Sequence, residues 1–125
     1  MLDEPMSALH IAALLLVLAG IAHSYLGERH ILIRLFRHPD LPKLFGGTEF
    51  TKRTLRLAWH VTSVLWWGFA AMLAMLAQSE PTRRSVGLIT GITFLVTAFG
   101  ILLWSRGRHL AWIVFLVVGT ICILQ

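Results

Sequence analysis

Three histidines and one glutamate are the residues of this sequence best suited to chemistry in an apolar environment. His23 and His60 lie within long apolar segments, His109 begins another such segment, and Glu28 directly follows the first one. Neutral imidazoles bind transition metals and haem iron, and they also accept and release protons near neutral pH. Because polar groups are expensive inside an apolar segment, these residues are the first candidates for a functional site.

These side chains are predicted to lie in one layer of a helical protein. His23 stands about one turn before the end of its segment and His60 about one turn after the start of the next, so in antiparallel helices they lie at similar depth. The sequence therefore predicts a cofactor site in which His23 and His60 bind a transition metal or haem, supported by Glu28 or His109. Three alternatives stay open: a proton site, a quinone or lipid-headgroup site, and interfacial histidines without a ligand.

Four apolar stretches must position this layer. None contains Asp, Glu, Lys or Arg, and the approximate predicted spans are 6–27, 57–78, 85–105 and 109–125. A helix needs ~20 apolar residues to cross a membrane, so the first three are long enough and the last is near the short limit. The stretches are continuously apolar rather than alternating, which favours helices over barrel strands. The predicted fold is an all-α integral membrane protein, one domain over residues 1–125 that forms an antiparallel bundle of four transmembrane helices.

The composition agrees with contact to a lipid bilayer. Hydrophobic residues make up 57% of the chain and charged residues 14%, against ~25% charged residues in soluble domains. The formal charge of +5 does not predict a nucleic-acid partner, because the basic residues cluster between the apolar stretches, where they set topology and contact anionic lipid. Cys122 is the only cysteine, so neither an intramolecular disulfide nor a Cys-x-x-Cys redox motif is present.

The distribution of basic residues predicts the orientation in the membrane. The connection 28–56 carries seven basic and three acidic residues, and Arg106 and Arg108 lie in the third connection without an acid. Connections rich in basic residues stay in the cytoplasm. Both termini are therefore predicted on the extracytoplasmic side of a bacterial inner membrane, together with Asp3 and Glu4.

The connection 28–56 is too long for a plain turn. It is predicted to contain interfacial or extended helical segments, and Thr48 is predicted to cap a second helix that begins near residue 49. Arg53 and Arg56 precede the second apolar stretch and are predicted to hold an anionic lipid headgroup, or else to anchor the topology.

Two glycines predict a close helix contact. Gly87 and Gly91 form a small-x-x-x-small pair in the third apolar stretch, and such a pair lets another helix approach closely. The contact is predicted either within the bundle or between two copies of the chain in a homodimer.

The sequence leaves the biochemical activity open between three hypotheses. The first is a membrane protein that binds a metal, haem or other small cofactor through the histidine layer. The second is a non-catalytic scaffold, lipid-binding protein or accessory subunit. A small transporter is disfavoured, because the four apolar spans contain no Asp or Glu to bind a cationic substrate. A hydrolase is also disfavoured, since neither a Gly-x-Ser-x-Gly elbow nor a His-Glu-x-x-His motif occurs.

Overall fold

The computed structural model describes residues 7–125, and within them the chain is all-helical with four long helices and no strand. This confirms the predicted helical class. The residues Asp3 and Glu4, and the first residue of the predicted span 6–27, lie outside the described part of the chain. The long helices are α1 (Ala8–Leu26), α2 (Glu49–Gln78), α3 (Arg83–Ser105) and α4 (Ala111–Leu124). After Leu26, the first helix continues through a π-helical segment (Gly27–Leu32) into a last turn (Ile33–Leu35).

Local interactions set several helix boundaries. The Ser7 side chain accepts a hydrogen bond from the backbone N–H of His10 and thereby caps α1. Thr82 and Ser85 form a reciprocal capping box at the start of α3. Arg106 ends α3 in the left-handed conformation, with φ 52°, and Gly107 follows it with φ 77°. This left-handed pair turns the chain towards α4.

Three helices are long and apolar enough to cross a membrane. They are Ala8–Leu35 with 28 residues, α2 with 30 residues and α3 with 23 residues. The fourth predicted span is shorter than expected: α4 has 14 residues, or about 21 Å, against a hydrocarbon core of ~30 Å. The physical reason is the turn after α3, which takes up the residues before Ala111 that the sequence pattern assigned to the fourth helix.

The helices pack in chain order. α1 packs on α2, α2 on α3 and α3 on α4, whereas helices that are not neighbours in sequence do not touch within the described residues. The short connections after α2 and α3 favour such packing of consecutive helices, and the structure shows it. The arrangement is open, because its first and last helices do not contact each other.

Little apolar surface is buried inside this arrangement. The buried apolar side chains are few and small, apart from Leu32 and Ile101. Large apolar side chains instead face outward along every helix, as shown by the exposed fractions of Leu15 (61%), Leu103 (76%) and Val114 (60%). An apolar exterior of this extent is typical of proteins whose surface is covered by lipid or by a partner.

Glycines bring α3 and α4 into close contact. A Cβ atom on Gly91 would lie 2.8 Å from the carbonyl oxygen of Gly119, and one on Gly87 would meet the carbonyl oxygen of Cys122. The groove of Gly87 and Gly91 therefore holds α4 of the same chain, which is the intrachain alternative. A homodimer through the same two glycines would require α4 to move away, and it stays a prediction.

Candidate functional site

Polar residues at helical spacing line the interface between α1 and α2. Ser24 and Glu28 are four residues apart on the first helix, and Arg56, His60 and Ser63 follow at four- and three-residue intervals on α2. Residues three or four apart share a helix face, so each helix presents one polar stripe. The two stripes face each other where α1 packs on α2.

Glu28 is the charged centre of this interface. Its two carboxylate oxygens accept hydrogen bonds from Arg56, with Nε 3.0 Å from Oε2 and Nη2 2.7 Å from Oε1. This is the bidentate geometry that makes arginine–carboxylate pairs strong. Nε2 of His60 lies 3.2 Å from the same Oε2. The Glu28 carboxylate thus contacts both the permanently charged Arg56 and the ionisable ring of His60.

Two serines extend the contacts from His60 to His23. Nδ1 of His60 is 2.9 Å from Oγ of Ser24, and the Ser24 hydroxyl donates to Oγ of Ser63 at 2.7 Å. Oγ of Ser63 is 3.1 Å from Nδ1 of His23. The result is an unbroken line of hydrogen-bonding groups that crosses between the two helices five times from Arg56 to His23. We call it the α1–α2 network; it consists of Arg56, Glu28, His60, Ser24, Ser63 and His23.

Tryptophans hold the His23 end of the network. The indole of Trp59 stacks on the His23 ring with a centroid distance of 4.6 Å and an interplanar angle of 4°. Its Nε1 donates to the His23 carbonyl oxygen at 2.9 Å. Trp66 packs on the same ring at 4.8 Å and 54°. The imidazole is thereby fixed in position and orientation, as a relay or ligand requires.

The same tryptophan arrangement recurs further along the interface. Nε1 of Trp67 donates to the carbonyl oxygen of Val17 at 3.2 Å, and its indole lies directly against Gly20. The indole of Trp59 lies against Gly27 in the same way. A side chain at either glycine would overlap the indole, so the two glycines create the space that the tryptophans occupy. These contacts fix the register of α1 on α2.

The helix that carries Glu28 widens at the site. The segment Gly27–Leu32 is π-helical, and the backbone N–H of Gly27 bonds to the carbonyl oxygens of both His23 and Ser24. Isolated π-helical turns inside α-helices occur frequently at functional sites. Leu32, which is 2% exposed, anchors the far end of the segment.

Burial differs along the network. Ser63 is fully buried at its centre. The side chains at the charged end are partly open, with exposed fractions of 30% for Glu28 and 37% for His60. The charged end is therefore accessible from outside the network, whereas Ser63 is shielded and Ser24 is half-buried.

The structure brings together only part of the predicted histidine layer. His23, His60 and Glu28 belong to the network, but His109 lies in the turn between α3 and α4, where its ring stacks on Phe50 with a centroid distance of 6.3 Å. Within residues 7–125, no three side chains of His, Cys, Asp or Glu converge to hold a metal ion. Metal or haem ligation by His23 and His60 stays a prediction.

The two arginines predicted at a lipid headgroup lie in different surroundings. Arg56 is occupied by Glu28, and its guanidinium also lies 4.9 Å from the ring centre of Phe36. Arg53 instead lines a separate polar cavity between α2 and the α3–α4 turn. The structure therefore divides the pair between two environments.

Several residues of the site were not predicted for their actual role. From the sequence, Arg56 is predicted to be a headgroup or topology residue, and the position of Trp59 near the start of an apolar stretch favours an interfacial aromatic belt. The four-residue spacing between Arg56 and His60, matched by that between Ser24 and Glu28, was the available signal for two complementary stripes. The π-helical turn has no comparable signal in the sequence.

No protein-family model, curated protein or solved structure matches this chain. The chemistry of the site is therefore derived from its own groups. They comprise a carboxylate, two imidazoles and two hydroxyls in hydrogen-bonding contact, each able to change between donor and acceptor when its proton moves. Such a line of groups is suited to holding and moving protons.

Proposed function

We propose that this chain is an integral membrane protein that transfers protons between His23 and the Glu28–His60 pair. The observation that carries the proposal is the unbroken hydrogen-bonded line through Ser24 and Ser63. The site is placed near the cytoplasmic face of a bacterial inner membrane, with both termini extracytoplasmic, as the basic connections favour.

The outward-facing apolar side chains support the membrane location. α1, α2 and α3 are each long enough to cross the hydrocarbon core. Although α4 is short, its C-terminal residues Cys122 and Gln125 share a cavity with Thr82 and Arg83 at the start of α3. Because α4 reaches the level at which α3 begins, a four-span antiparallel bundle is compatible with its length.

The proton transfer follows from the two directions in which the serine hydroxyls can point. In one direction His23 donates to Ser63, Ser63 to Ser24, and Ser24 to Nδ1 of His60. In the other direction each of these hydrogen bonds is reversed, and Ser24 donates to Ser63, as the structure has it. Since a hydroxyl both donates and accepts, both directions satisfy every group in the line.

Transfer of one excess proton from His23 to His60 reverses the direction of every hydrogen bond in this line. The Nδ1–H bond of a protonated His23 breaks and its proton forms an O–H bond on Ser63. Ser63 passes its own hydrogen to Ser24, and Ser24 passes its own to Nδ1 of His60. His23 is left neutral and His60 becomes an imidazolium whose Nε2–H faces Glu28, which stabilises the arriving charge.

The contacts of His60 favour this role over cofactor ligation. Both of its ring nitrogens face protein side chains, Nδ1 facing Ser24 and Nε2 facing Glu28. A metal or haem iron on His60 would have to displace one of these partners. A proton relay, in contrast, requires that both ring nitrogens of His60 have hydrogen-bonding partners.

The proposal is tested by proton flux into vesicles that contain the purified protein and a pH-sensitive dye. Ser63→Ala removes the central hydroxyl while leaving both histidines in place. We expect the flux to fall by about tenfold or more, because a positioned proton-transfer group typically contributes ~10²–10⁴-fold. Thr62→Ala is the matched control, since the Thr62 hydroxyl bonds to its own helix at the carbonyl oxygen of Ala58.

Two results would refute the relay. One is absence of protein-dependent flux in the wild type, which would favour the scaffold or accessory role with the network as a fixed interlock. The other is equal flux in Ser63→Ala and Thr62→Ala. A stoichiometric metal or a haem absorption band in the purified protein, lost in His60→Gln and kept in His30→Gln, would establish the cofactor alternative instead.

A further inference from the structure

A basic cavity lies between the start of α2 and the turn from α3 to α4. It has a volume of about 230 Å³ and is lined by three arginines, Arg53, Arg106 and Arg108. The acid on its wall is Glu49, whose carboxylate lies 3.7 Å from Lys52. The net charge around the cavity is therefore positive. The remaining polar lining groups are the hydroxyls of Thr54 and Ser105.

The three guanidinium groups are available to an anion. None of them forms an ion pair with any residue of the described range 7–125, and Arg108 is held by the ring of Phe45 at 5.9 Å. Planar guanidinium groups recognise phosphate through paired hydrogen bonds. The cavity is smaller than the ~300–1,000 Å³ typical of drug-sized ligands, so its size suits one phosphate group.

The backbone fixes the position of these arginines. Arg106 lies in the left-handed conformation at the end of α3, and the N–H of Gly107 bonds to the carbonyl oxygen of Leu102 at 2.9 Å. The ring of His109 packs on Phe50, which lines the cavity, and its buried Nδ1 has no hydrogen-bond partner among the described residues. The backbone of the turn is thus held by hydrogen bonds and ring packing, while Arg106 and Arg108 themselves are exposed.

A largely apolar groove lies along α2 and α3, about one helical turn from this cavity. Its first part, about 290 Å³, is lined by residues that include Leu57, His60, Gly100 and Trp104, and Leu57 and Trp104 are close in sequence to Thr54 and Ser105 of the basic cavity. Its second part, about 320 Å³, shares Val64 and Val96 with the first. A positively charged cavity beside a long, largely apolar groove matches the two parts of an anionic lipid.

We propose that this surface binds one anionic phospholipid, with its phosphate on the three arginines and an acyl chain in the groove between α2 and α3. The occupant follows from charge complementarity at one end and continuous apolar lining at the other. The inference rests on the membrane location given under the proposed function, but it does not depend on proton transfer.

The headgroup contact is tested by native mass spectrometry of the detergent-purified full chain with added dioleoyl phosphatidic acid or dioleoyl phosphatidylcholine. The wild type is expected to prefer phosphatidic acid. In the double variant Arg106→Gln/Arg108→Gln the bound fraction of phosphatidic acid is expected to fall by about tenfold or more, since each basic residue contributes to attraction of anionic lipid. The matched control is Arg83→Gln/Arg84→Gln, which removes two exposed arginines at the opposite end of α3.

The groove contact is tested by filling it. A Cβ atom on Gly100 meets nothing within 4 Å, so Gly100→Leu fits without a clash and replaces a poor helix former by a good one. This variant is expected to lose affinity for dioleoyl phosphatidic acid while keeping that for the dihexanoyl form, whose short chains do not need the groove.

Three outcomes would overturn the lipid site: equal binding of the two dioleoyl lipids, an equal loss in the control double variant, or full displacement of the lipid by millimolar inorganic phosphate. The last outcome would instead assign the arginines to a soluble anion. Failure of the membrane location itself is distinguishable, because the chain would then stay soluble and monomeric without detergent.

Discussion

The interface between α1 and α2 and the interface between α3 and α4 hold helices together in opposite ways. Across the first, side chains form a bidentate ion pair and a line of hydrogen bonds, and indoles of α2 donate to backbone carbonyl oxygens of α1. Across the second, within the described residues, no side-chain hydrogen bond joins the helices. Instead, Gly91 and Gly119 bring the two backbones into direct contact.

The comparison shows that adhesion alone does not require the polar interface. Helices in a membrane associate well through small residues, and the α3–α4 pair uses this route. Even the threonines of α3 bond within their own helix, as Thr93 does to Ile89 and Thr97 to Thr93. Charged and polar side chains are expensive in a membrane segment, so with the proposed membrane location those between α1 and α2 support the proposed proton transfer.

The largest effect on stability is expected from Gly91→Leu. The new side chain would start 2.8 Å from the Gly119 carbonyl oxygen, which belongs to a backbone that cannot turn aside. We expect a loss of about 3 kcal/mol or more in the free energy of unfolding, at the upper end of overpacking effects. The measurement is reversible unfolding in mixed micelles, with Gly100→Leu as control because its Cβ points into open space. Equal stability of the two variants would contradict the backbone contact.

Adding a side chain to a glycine of the α1–α2 interface should disturb the position of His23 as well as the stability of the protein. Gly27→Ala places a methyl group against the indole of Trp59, which must move and thereby release the His23 carbonyl oxygen and ring. We expect a loss of about 1–3 kcal/mol in the free energy of unfolding. We also expect a changed ¹⁵N spectrum of the His23 ring. An unchanged His23 spectrum in a destabilised variant would show that Trp59 does not position the imidazole.

Much of this architecture could be predicted from the sequence, because a helix of this kind is recognised by the apolar composition of a long stretch of residues. The four apolar stretches identify the helices, and α2 begins at Glu49 as predicted, although the Thr48 side chain forms no capping hydrogen bond. The shared depth of His23 and His60 follows from their distances to the segment ends, and the structure connects the two through Ser24 and Ser63.

The parts that could not be predicted depend on helix rotation and on backbone detail. Periodicity does not tell whether Arg56 turns towards Glu28 or towards lipid, and the two differ by a small rotation of α2. The close packing of Trp59 on Gly27 needs two helices in register, which no local pattern specifies. The separation of His109 results from the left-handed conformation at Arg106, since that turn directs the fourth helix away from the network.

The smallest effect is expected for individual charge pairs, where the comparison is between an interface and an exposed surface. A double-mutant cycle with Glu28→Gln and Arg56→Met should give a coupling energy of about 1 kcal/mol, within the range for partners in one network. The same cycle on Glu49→Gln and Lys52→Met, a pair three residues apart at 3.7 Å whose glutamate is 75% exposed, should give about 0.2–0.5 kcal/mol. Because the Glu28 carboxylate also faces His60, removing Arg56 should in addition strengthen the contact between that carboxylate and the His60 ring. Equal coupling in the two cycles would mean that Glu28 and Arg56 are effectively solvated, and the contrast between the polar and the glycine interface would then lose its energetic basis.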